Sequence, residues 1–307
     1  MADRIIKDIP KSVSARLLNI AKARKEDFNQ ILNDYAMERL LYRLSISQYK
    51  DNFVVKGAKL FQLWTNTPHR PTHDLDLLSF GNNEIDHVVN TFHKVLSIEC
   101  QDDGLKFVLD NIKGERIKAD QKYQGVRITA KAFLDSANIH LQIDVGFGDI
   151  ITPGVQELDY PTLLTLPSPR LLVYPKETVV AEKFHAMVLL GMTNTRIKDF
   201  YDLWVLATTQ DFQGHILLTA IQRTFEKRAS VKLTPETPIA LTEEFYNDVG
   251  KKAQWSSFLK RTKVTSNTSL AESITKLHNF LMPVSDALLR QQPFDFIWYP
   301  QQGWNSK

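Results

Sequence analysis

The sequence has few of the features that would point to an exported or membrane protein. Its 307 residues include a single cysteine, Cys100, so no disulfide can form within the chain. No stretch approaches the ~20 consecutive apolar residues that a membrane-spanning helix needs, and the opening MADRIIKDIPKSVS lacks the apolar core of a signal peptide. These absences predict a cytoplasmic protein without a membrane partner.

The sequence also lacks a large excess of either positive or negative charge. The chain carries 38 lysines and arginines against 35 acidic residues, a net charge of +3, which permits a nucleic-acid partner without requiring one. Apolar residues make up 43% and charged residues 24%, which is typical of a folded globular protein and excludes extensive disorder. The length is sufficient for two domains.

Hydrophobic spacing changes along the chain and indicates its organisation. Residues 10–48 have helical spacing, residues 51–149 mix strand alternation with helical spacing, and residues 176–290 are again helical. The predicted fold is α+β, with a small mixed sheet and flanking helices followed by a C-terminal helical bundle. The predicted segments are N-terminal helices packing on the core (1–50), a sheet domain (51–152), a proline-rich connection (153–175), a helical domain (176–292) and an irregular tail (293–307).

Two aspartates on one strand are the first candidates for chemistry. The stretch HDLDLLSF alternates polar and apolar residues, so Asp74 and Asp76 project from the same strand face. Adjacent carboxylates repel each other unless they face water or share a divalent cation such as Mg²⁺. The pattern therefore predicts either a solvated strand face or a metal site.

Two further residues favour the metal site. Gly57 ends the strand FVVK before a predicted helix, where backbone N–H groups can approach a phosphate closely. Asp144, on the polar face of the strand IHLQIDV, joins the aspartate pair if the two strands are neighbours. Alternatively, Asp144 caps its strand or pairs with Arg127 across the sheet.

A second candidate region is the segment YPKETVVAEKFHAMVLLGMTNTRIKDFYDLWVLA, which predicts two helices joined by a short turn. On a helical wheel, Lys183 and Asp199 both fall on the apolar sides of their helices, with Asp202 one turn after Asp199. The pair is either a buried ion pair or a lysine that Asp199 orients toward nucleotide phosphates. His185 falls nearly opposite Lys183 and is predicted to lie on the surface.

These motifs, in this order, resemble a known family. KGAKLF, RPTHDLDL, the IDV strand, ETVVAEKFHAM and RIKDFYDLWVL together resemble the AbiEii/AbiGii toxin family over residues 10–210. The resemblance implies a nucleotidyltransferase fold, NTP as substrate, Mg²⁺ (two ions) as cofactor, and a type IV toxin–antitoxin or abortive-infection role. The acceptor it implies is the 3′ end of tRNA, and a cognate antitoxin is an expected protein partner.

The resemblance also implies roles for individual residues. Those matching the family's motifs are the metal ligands Asp74, Asp76 and Asp144, the catalytic residues Lys183 and Asp199, and the turn glycine Gly57. Nucleotide contacts are expected from Gly57, Ala58, Lys59, Arg70, Thr72 and Lys183. One departure is Ala58, because a serine or glycine usually follows the turn glycine, so a hydroxyl contact to the terminal phosphate is absent.

Two other functions remain open at the level of the sequence. The chain would be a catalytically silent module that binds nucleotide or antitoxin if Ala58 abolishes chemistry, or it would modify a protein hydroxyl instead of RNA. Phosphate contacts to RNA are expected from Lys56, Lys59, Arg70, Lys227, Arg228, Lys251, Lys252, Lys260 and Arg261, although such side chains are often simply solvated.

Overall fold

The computed structural model describes residues 8–65, 69–118, 124–262, 264 and 268–306, and within these ranges the chain forms ten α-helices and eleven β-strands. The helices are α1 (Ile9–Arg24), α2 (Phe28–Ser45), α3 (Phe61–Thr65), α4 (Ile85–Leu96), α5 (Lys176–Leu190), α6 (Ile197–Thr209), α7 (Gly214–Arg228), α8 (Glu243–Asn247), α9 (Val249–Thr262) and α10 (Leu270–Leu289). The strands are β1 (Phe53–Lys56), β2 (Asp74–Ser79), β3 (Leu105–Phe107), β4 (Lys113–Lys118), β5 (Gln124–Leu134), β6 (Ala137–Phe147), β7 (Gln156–Asp159), β8 (Arg170–Val173), β9 (Phe212–Gln213), β10 (Phe296–Tyr299) and β11 (Gly303–Ser306).

Two units make up the chain. The first comprises Met1–Asn66, Pro71–Gly148 and Gln156–Val173, and the second comprises Thr67–Arg70, Asp149–Val155 and Tyr174–Lys307. None of the helices in the described part of the chain is long and apolar enough to cross a membrane.

The first unit is built on a mixed sheet. Its strand order is β3–β5–β6–β2–β1–β8–β7, and the long strand β5 also pairs with β4. Strands β2 and β6 are parallel, whereas β1 with β2 and β5 with β6 are antiparallel. A mixed sheet with flanking helices, followed by a mainly helical C-terminal part, confirms the predicted fold class.

Alternation along the strands gives this sheet one apolar face, which helices cover. Val126 and Ile128 on β5, and Ile143 and Val145 on β6, are fully buried. Helices α1, α2 and α4 contact this part of the sheet. Burying each large aliphatic side chain stabilises the fold by about 1.5–3 kcal/mol. The intervening polar residues are left on the other face, which carries the candidate site.

The second unit contains helices α5 to α10 and the small sheet β11–β10–β9. Pro175 immediately precedes α5 and Gly191, with φ of 47°, ends it, as their positions in the sequence predict. Within the region of predicted helical spacing, α8 and α9 are separate helices and not one continuous helix. The break lies at Asp248, whose backbone is extended and whose side chain accepts a hydrogen bond from the Lys251 N–H at 2.8 Å, capping α9.

Three further expectations are wrong. The tail is not irregular, because β10 and β11 form an antiparallel hairpin, and the Trp298 indole donates to the Ala207 carbonyl at 2.8 Å. The proline-rich connection contains two strands of the main sheet, β7 and β8. His185 is buried, with 2% of its surface exposed, and its ring contacts Phe225 edge to face.

Candidate functional site

Three carboxylates meet on the open face of the first unit's sheet. Asp74 and Asp76 are two residues apart on β2, and the register of the parallel strands places Asp144 of β6 beside Asp76. One oxygen from each of the three residues lies within 4.8 Å of the others, and all three side chains are half-buried. Strands β2 and β6 are therefore neighbours, as the prediction of a shared metal site required.

Gly57 allows the carboxylates to sit where they do. Its φ of 75° and ψ of −159° lie in a region that only glycine occupies readily. A Cβ atom at this position would collide with the Asp76 carboxylate, whose Cγ would be only 2.7 Å away. The glycine at the end of β1 is thus required both by its own backbone and by the adjacent aspartate.

Neighbouring side chains orient the carboxylates of Asp74 and Asp144. The Thr72 hydroxyl donates a short hydrogen bond to Asp74 Oδ1. Arg127 of β5 donates from Nε and Nη2 to the two oxygens of Asp144, both at 2.8 Å, and this hydrogen-bonded pairing raises the pKa of Arg127 above its usual value. The cross-sheet pairing of Asp144 with Arg127, one of the sequence-based alternatives, is therefore present.

The donor set fits Mg²⁺. Carboxylate oxygens are the ligands that this hard cation prefers, and partial exposure leaves room for waters or substrate oxygens in the remaining positions. The Arg127 pairing does not use up Asp144, because an ionised carboxylate has about four lone-pair sites and Arg127 occupies two. The cluster can thus hold a divalent cation while Arg127 fixes one of its ligands.

Lys59, predicted to contact nucleotide, has a partner within the protein. Only 6% of the residue is exposed, and its ammonium group forms an ion pair with Asp34 of α2. Asp34 also accepts from the Gln30 side-chain amide at 3.0 Å, and that amide lies 3.1 Å from the Thr72 carbonyl to which it donates. This chain of contacts ties the segment before β2 to helix α2, and nothing in the local sequence pattern indicated it.

A second cluster of charged side chains lies within the second unit. Lys183 Nζ lies 2.5 Å from Asp199 Oδ1 and 2.9 Å from Asp202 Oδ2. Arg70 donates to both oxygens of Asp202, from Nε at 2.7 Å and from Nη2 at 2.9 Å. His69 Nε2 lies 2.7 Å from Asp202 Oδ1. The predicted ion pair of Lys183 with Asp199 is thus present as part of a larger cluster.

The centre of this cluster is Asp202, which is completely buried. Burial alone would raise its pKa, but the charges of Lys183 and Arg70 hold the pKa well below its usual value. Burial acts to lower the pKa of Lys183, and the charges of Asp199 and Asp202 raise it overall. Burial also lowers the pKa of His69. Asp202 and Lys183 are therefore both charged at neutral pH.

Sequence reasoning undervalued two members of this second cluster. Asp202 follows Asp199 by three residues and so shares its helix face, a signal that was visible in the sequence. His69 carried no such signal, because only the fold brings it to Asp202. The assigned roles of Lys183 and Asp199 in catalysis, and of Arg70 and Thr72 in nucleotide binding, stay predictions, since the observed contacts of these side chains are with other protein groups.

Comparison with known proteins finds similar solved structures and a matching family model. None of the curated proteins matches it. Among solved structures, it is similar to a crystal structure described as a proposed nucleotidyltransferase from H. pylori, with 13% identity, a TM-score of 0.49, and coverage of 86% of this chain and 98% of that one. It is also similar to JHP933 from Helicobacter pylori, with 14% identity, a TM-score of 0.48, and coverage of 85% and 94%.

The family model described as "Nucleotidyl transferase AbiEii toxin, Type IV TA system" matches residues 39–287, which is most of the chain. The matched range includes all three clustered carboxylates as well as Lys183 and Asp199. The chain therefore belongs to the AbiEii family of nucleotidyl transferase toxins.

Proposed function

We propose that this nucleotidyltransferase moves a nucleotide from an NTP to the 3′ end of tRNA in a Mg²⁺-dependent reaction. The observation that carries the proposal is the group of three carboxylates whose oxygens lie within 4.8 Å of one another on an open sheet face. Such a group is costly without a cation, because the negative charges repel one another. It is also the oxygen-rich arrangement in which Mg²⁺ binds nucleotide phosphates.

Asp74, Asp76 and Asp144 would hold the metal, with two ions as the expected number. Bound Mg²⁺ supplies charge neutralisation and orientation of the phosphate oxygens in phosphoryl-type transfer. Thr72 holds Asp74 through its hydroxyl, and Arg127 holds Asp144 through a bidentate contact. These two contacts reduce the side-chain motion that binding would otherwise have to arrest.

The backbone at Gly57 has the form expected for a phosphate contact. Gly57 precedes a 3₁₀ turn, Ala58–Leu60, and its own conformation brings the chain close to Asp76. Because Ala58 offers no hydroxyl, phosphate contacts at this turn would come from backbone N–H groups. The proposal therefore assigns Ala58 a backbone role only.

The transfer step requires no reactant other than the NTP and the acceptor hydroxyl. The 3′-hydroxyl oxygen of the acceptor forms a bond to the α-phosphorus of the NTP. The bond from the α-phosphorus to the oxygen bridging to the β-phosphorus breaks, and pyrophosphate leaves with that electron pair. The hydroxyl proton passes to a carboxylate oxygen of the cluster and then to solvent.

Two parts of the proposal rest on family membership. Lys183, held by Asp199, is assigned to neutralising phosphate charge, because a lysine fixed by an aspartate can serve as a preorganised cation. A cognate antitoxin is the proposed protein partner, since the family is that of type IV toxin–antitoxin systems.

The test is transfer of label from each of the four α-³²P NTPs to total tRNA in the presence of Mg²⁺. We expect one NTP to label RNA, EDTA to abolish labelling, and Asp76→Ala to reduce it at least 10³-fold, about 4 kcal/mol of transition-state stabilisation. The matched control is Asp51→Ala, which removes an exposed aspartate just before β1 and is expected to leave the rate unchanged.

Three other results are informative. Label that moves to cell protein instead of RNA would keep the chemistry and change the acceptor. NTP binding without transfer to any acceptor would favour the silent binding module. Transfer that survives Asp76→Ala would refute the assignment of the carboxylate cluster.

A further inference from the structure

The open face of the first unit's sheet continues beyond the carboxylates and becomes basic. Directly paired residues on neighbouring strands project to the same side of a sheet. The register pairs Asp76 with Asp144 and Asp144 with Arg127. Moving along the strands, the side chains that share this face are, in successive rows, Asp74, Gln142, Thr129 and Lys113, then His140 and Lys131, and then Asn138, Phe133 and Lys106.

An open cleft of about 620 Å³ lies over the first two of these rows. Its lining begins at Asp74 of the carboxylate cluster and ends at Lys113 and Lys131. The remaining lining residues with polar side chains are Thr72, His73, Asn111, Thr129, His140 and Gln142. The cleft is therefore continuous with the candidate metal site, and its far end is positively charged.

Three lysines of this face differ from the neighbouring arginine in having no anionic partner among the residues that the structure describes. Within the described ranges, Lys106, Lys113 and Lys131 form no salt bridge, whereas Arg127 in the neighbouring row is paired with Asp144. Lys113 and Lys131 are diagonal neighbours on paired strands, about 7–8 Å apart at their Cα atoms. Cations that lie this close without a carboxylate between them favour a ligand that carries several negative charges.

An exposed aromatic ring lies among these lysines. Phe133 is 40% exposed, and on its strand it follows Lys131 by two residues and is paired with Lys106 of β3. A phenylalanine at such a site gains little from burial, whereas nucleic-acid-binding sheets use exposed rings to stack unpaired bases. We refer to Lys106, Lys113, Lys131 and Phe133 together as the basic face.

We propose that the basic face binds the unpaired 3′ end of the RNA acceptor, with the lysines contacting phosphates and Phe133 stacking on a base. This inference rests on the proposed function, because it assumes that the acceptor is RNA. An acidic protein segment would match the lysines but would provide no flat base for Phe133. Arg127 and Phe133 are six residues apart on β5, a distance of about 20 Å, which about six stacked nucleotides would span.

The experiment measures binding separately from chemistry. The probe is a fluorescent RNA hairpin with an unpaired 3′ extension that ends in a 3′-deoxynucleotide, so that no transfer can occur. Its Kd is measured by fluorescence anisotropy at several salt concentrations. We expect Lys131→Glu and Phe133→Ala each to weaken binding about tenfold. Lys131→Glu should also lower the salt slope by about 0.7 for each phosphate that the variant no longer neutralises.

Matched control variants test whether the effect depends on where the substitution lies and not on the kind of substitution. Lys22→Glu makes the same charge change at an exposed site on α1, and Phe80→Ala removes a ring that is 60% exposed at the end of β2. Both controls are expected to change the Kd less than twofold. Phe133→Trp keeps a stacking surface and is expected to retain wild-type affinity. That result would show that the weaker binding of Phe133→Ala comes from the lost ring and not from misfolding.

The outcomes distinguish this proposal from the proposed function. If the wild type labels tRNA but the variants at Lys131 and Phe133 bind the probe as their controls do, the RNA-binding role of the basic face is wrong and the proposed function stands. If the wild type binds the probe through the basic face but transfers no nucleotide to RNA, the surface assignment stands and the acceptor assignment is wrong. If the wild type binds no RNA, both proposals are overturned.

Discussion

Replacing Asp202 with asparagine should strongly destabilise the second unit. The Asp202 carboxylate is completely buried and is the shared partner of Arg70, Lys183 and His69, at 2.7–2.9 Å. Asparagine has nearly the same shape, but it removes the negative charge and directs an NH₂ group at these donors. Removing one partner of a buried ion pair typically costs about 3–5 kcal/mol, a large fraction of the roughly 5–15 kcal/mol that stabilises a typical domain.

The effect should depend on pH in a defined direction. Because the folded-state pKa of Asp202 is well below its unfolded value of about 3.9, the ionised carboxylate contributes stability above about pH 4. That contribution is lost as the pH falls from about 4 toward the folded-state pKa. The difference in free energy of unfolding between the wild type and Asp202→Asn should therefore be full at pH 7 and should shrink on acidification below pH 4.

The assay is urea unfolding followed by tryptophan fluorescence, for which Trp204 on the same helix is a local probe. The matched control is Asp211→Asn, which makes the same change at an exposed site and should leave the free energy of unfolding within about 0.5 kcal/mol of the wild type. Combining Asp202→Asn with Lys183→Met should cost less than the sum of the single changes, because one uncompensated cation is removed. Equal midpoints for Asp202→Asn and Asp211→Asn at pH 7 would refute the reasoning.

Two further predictions concern the first unit. Gly57→Ala should lower the free energy of unfolding by about 1–3 kcal/mol and weaken Mg²⁺ binding in calorimetry, because the new Cβ collides with the Asp76 carboxylate; unchanged Mg²⁺ affinity would contradict the assigned geometry. Burial raises the pKa of Glu38 to about 7, so the free energy of unfolding should fall by up to about 3 kcal/mol as the pH rises from 4.5 through 7. Glu38→Gln should abolish that loss in urea titrations at pH 5 and 8. A wild type that gains stability relative to Glu38→Gln over this range would contradict the prediction.

Local periodicity in the sequence was sufficient to predict which side chains share a face. Asp74 and Asp76 project together because strand side chains repeat every two residues. Lys183 and Asp199 meet because both fall on the inward arcs of adjacent helices, an arrangement that the 3.6-residue repeat and the short connection between the helices already implied. Helix α5 begins directly after Pro175 and ends at Gly191 for the same reason, since these start and stop signals are local.

Contacts between distant segments depended on the tertiary structure. The order of the strands, which periodicity does not encode, puts Asp144 beside Asp76 and Arg127 beside Asp144. The Asp34 partner of Lys59 likewise lies on a helix whose position in the fold no local pattern specifies.

Burial and pairing also explain the predictions that were wrong. His185 fell on the polar side of its own helix, yet Phe225 of α7 covers it. The tail lacked a clear strand pattern, yet β10 gains backbone partners on both sides, from β9 and β11. The sequence by itself determined which residues lie on each face of a strand or helix, because that depends on backbone geometry alone. Only the tertiary structure decided which faces meet, because those contacts join residues that are far apart along the chain.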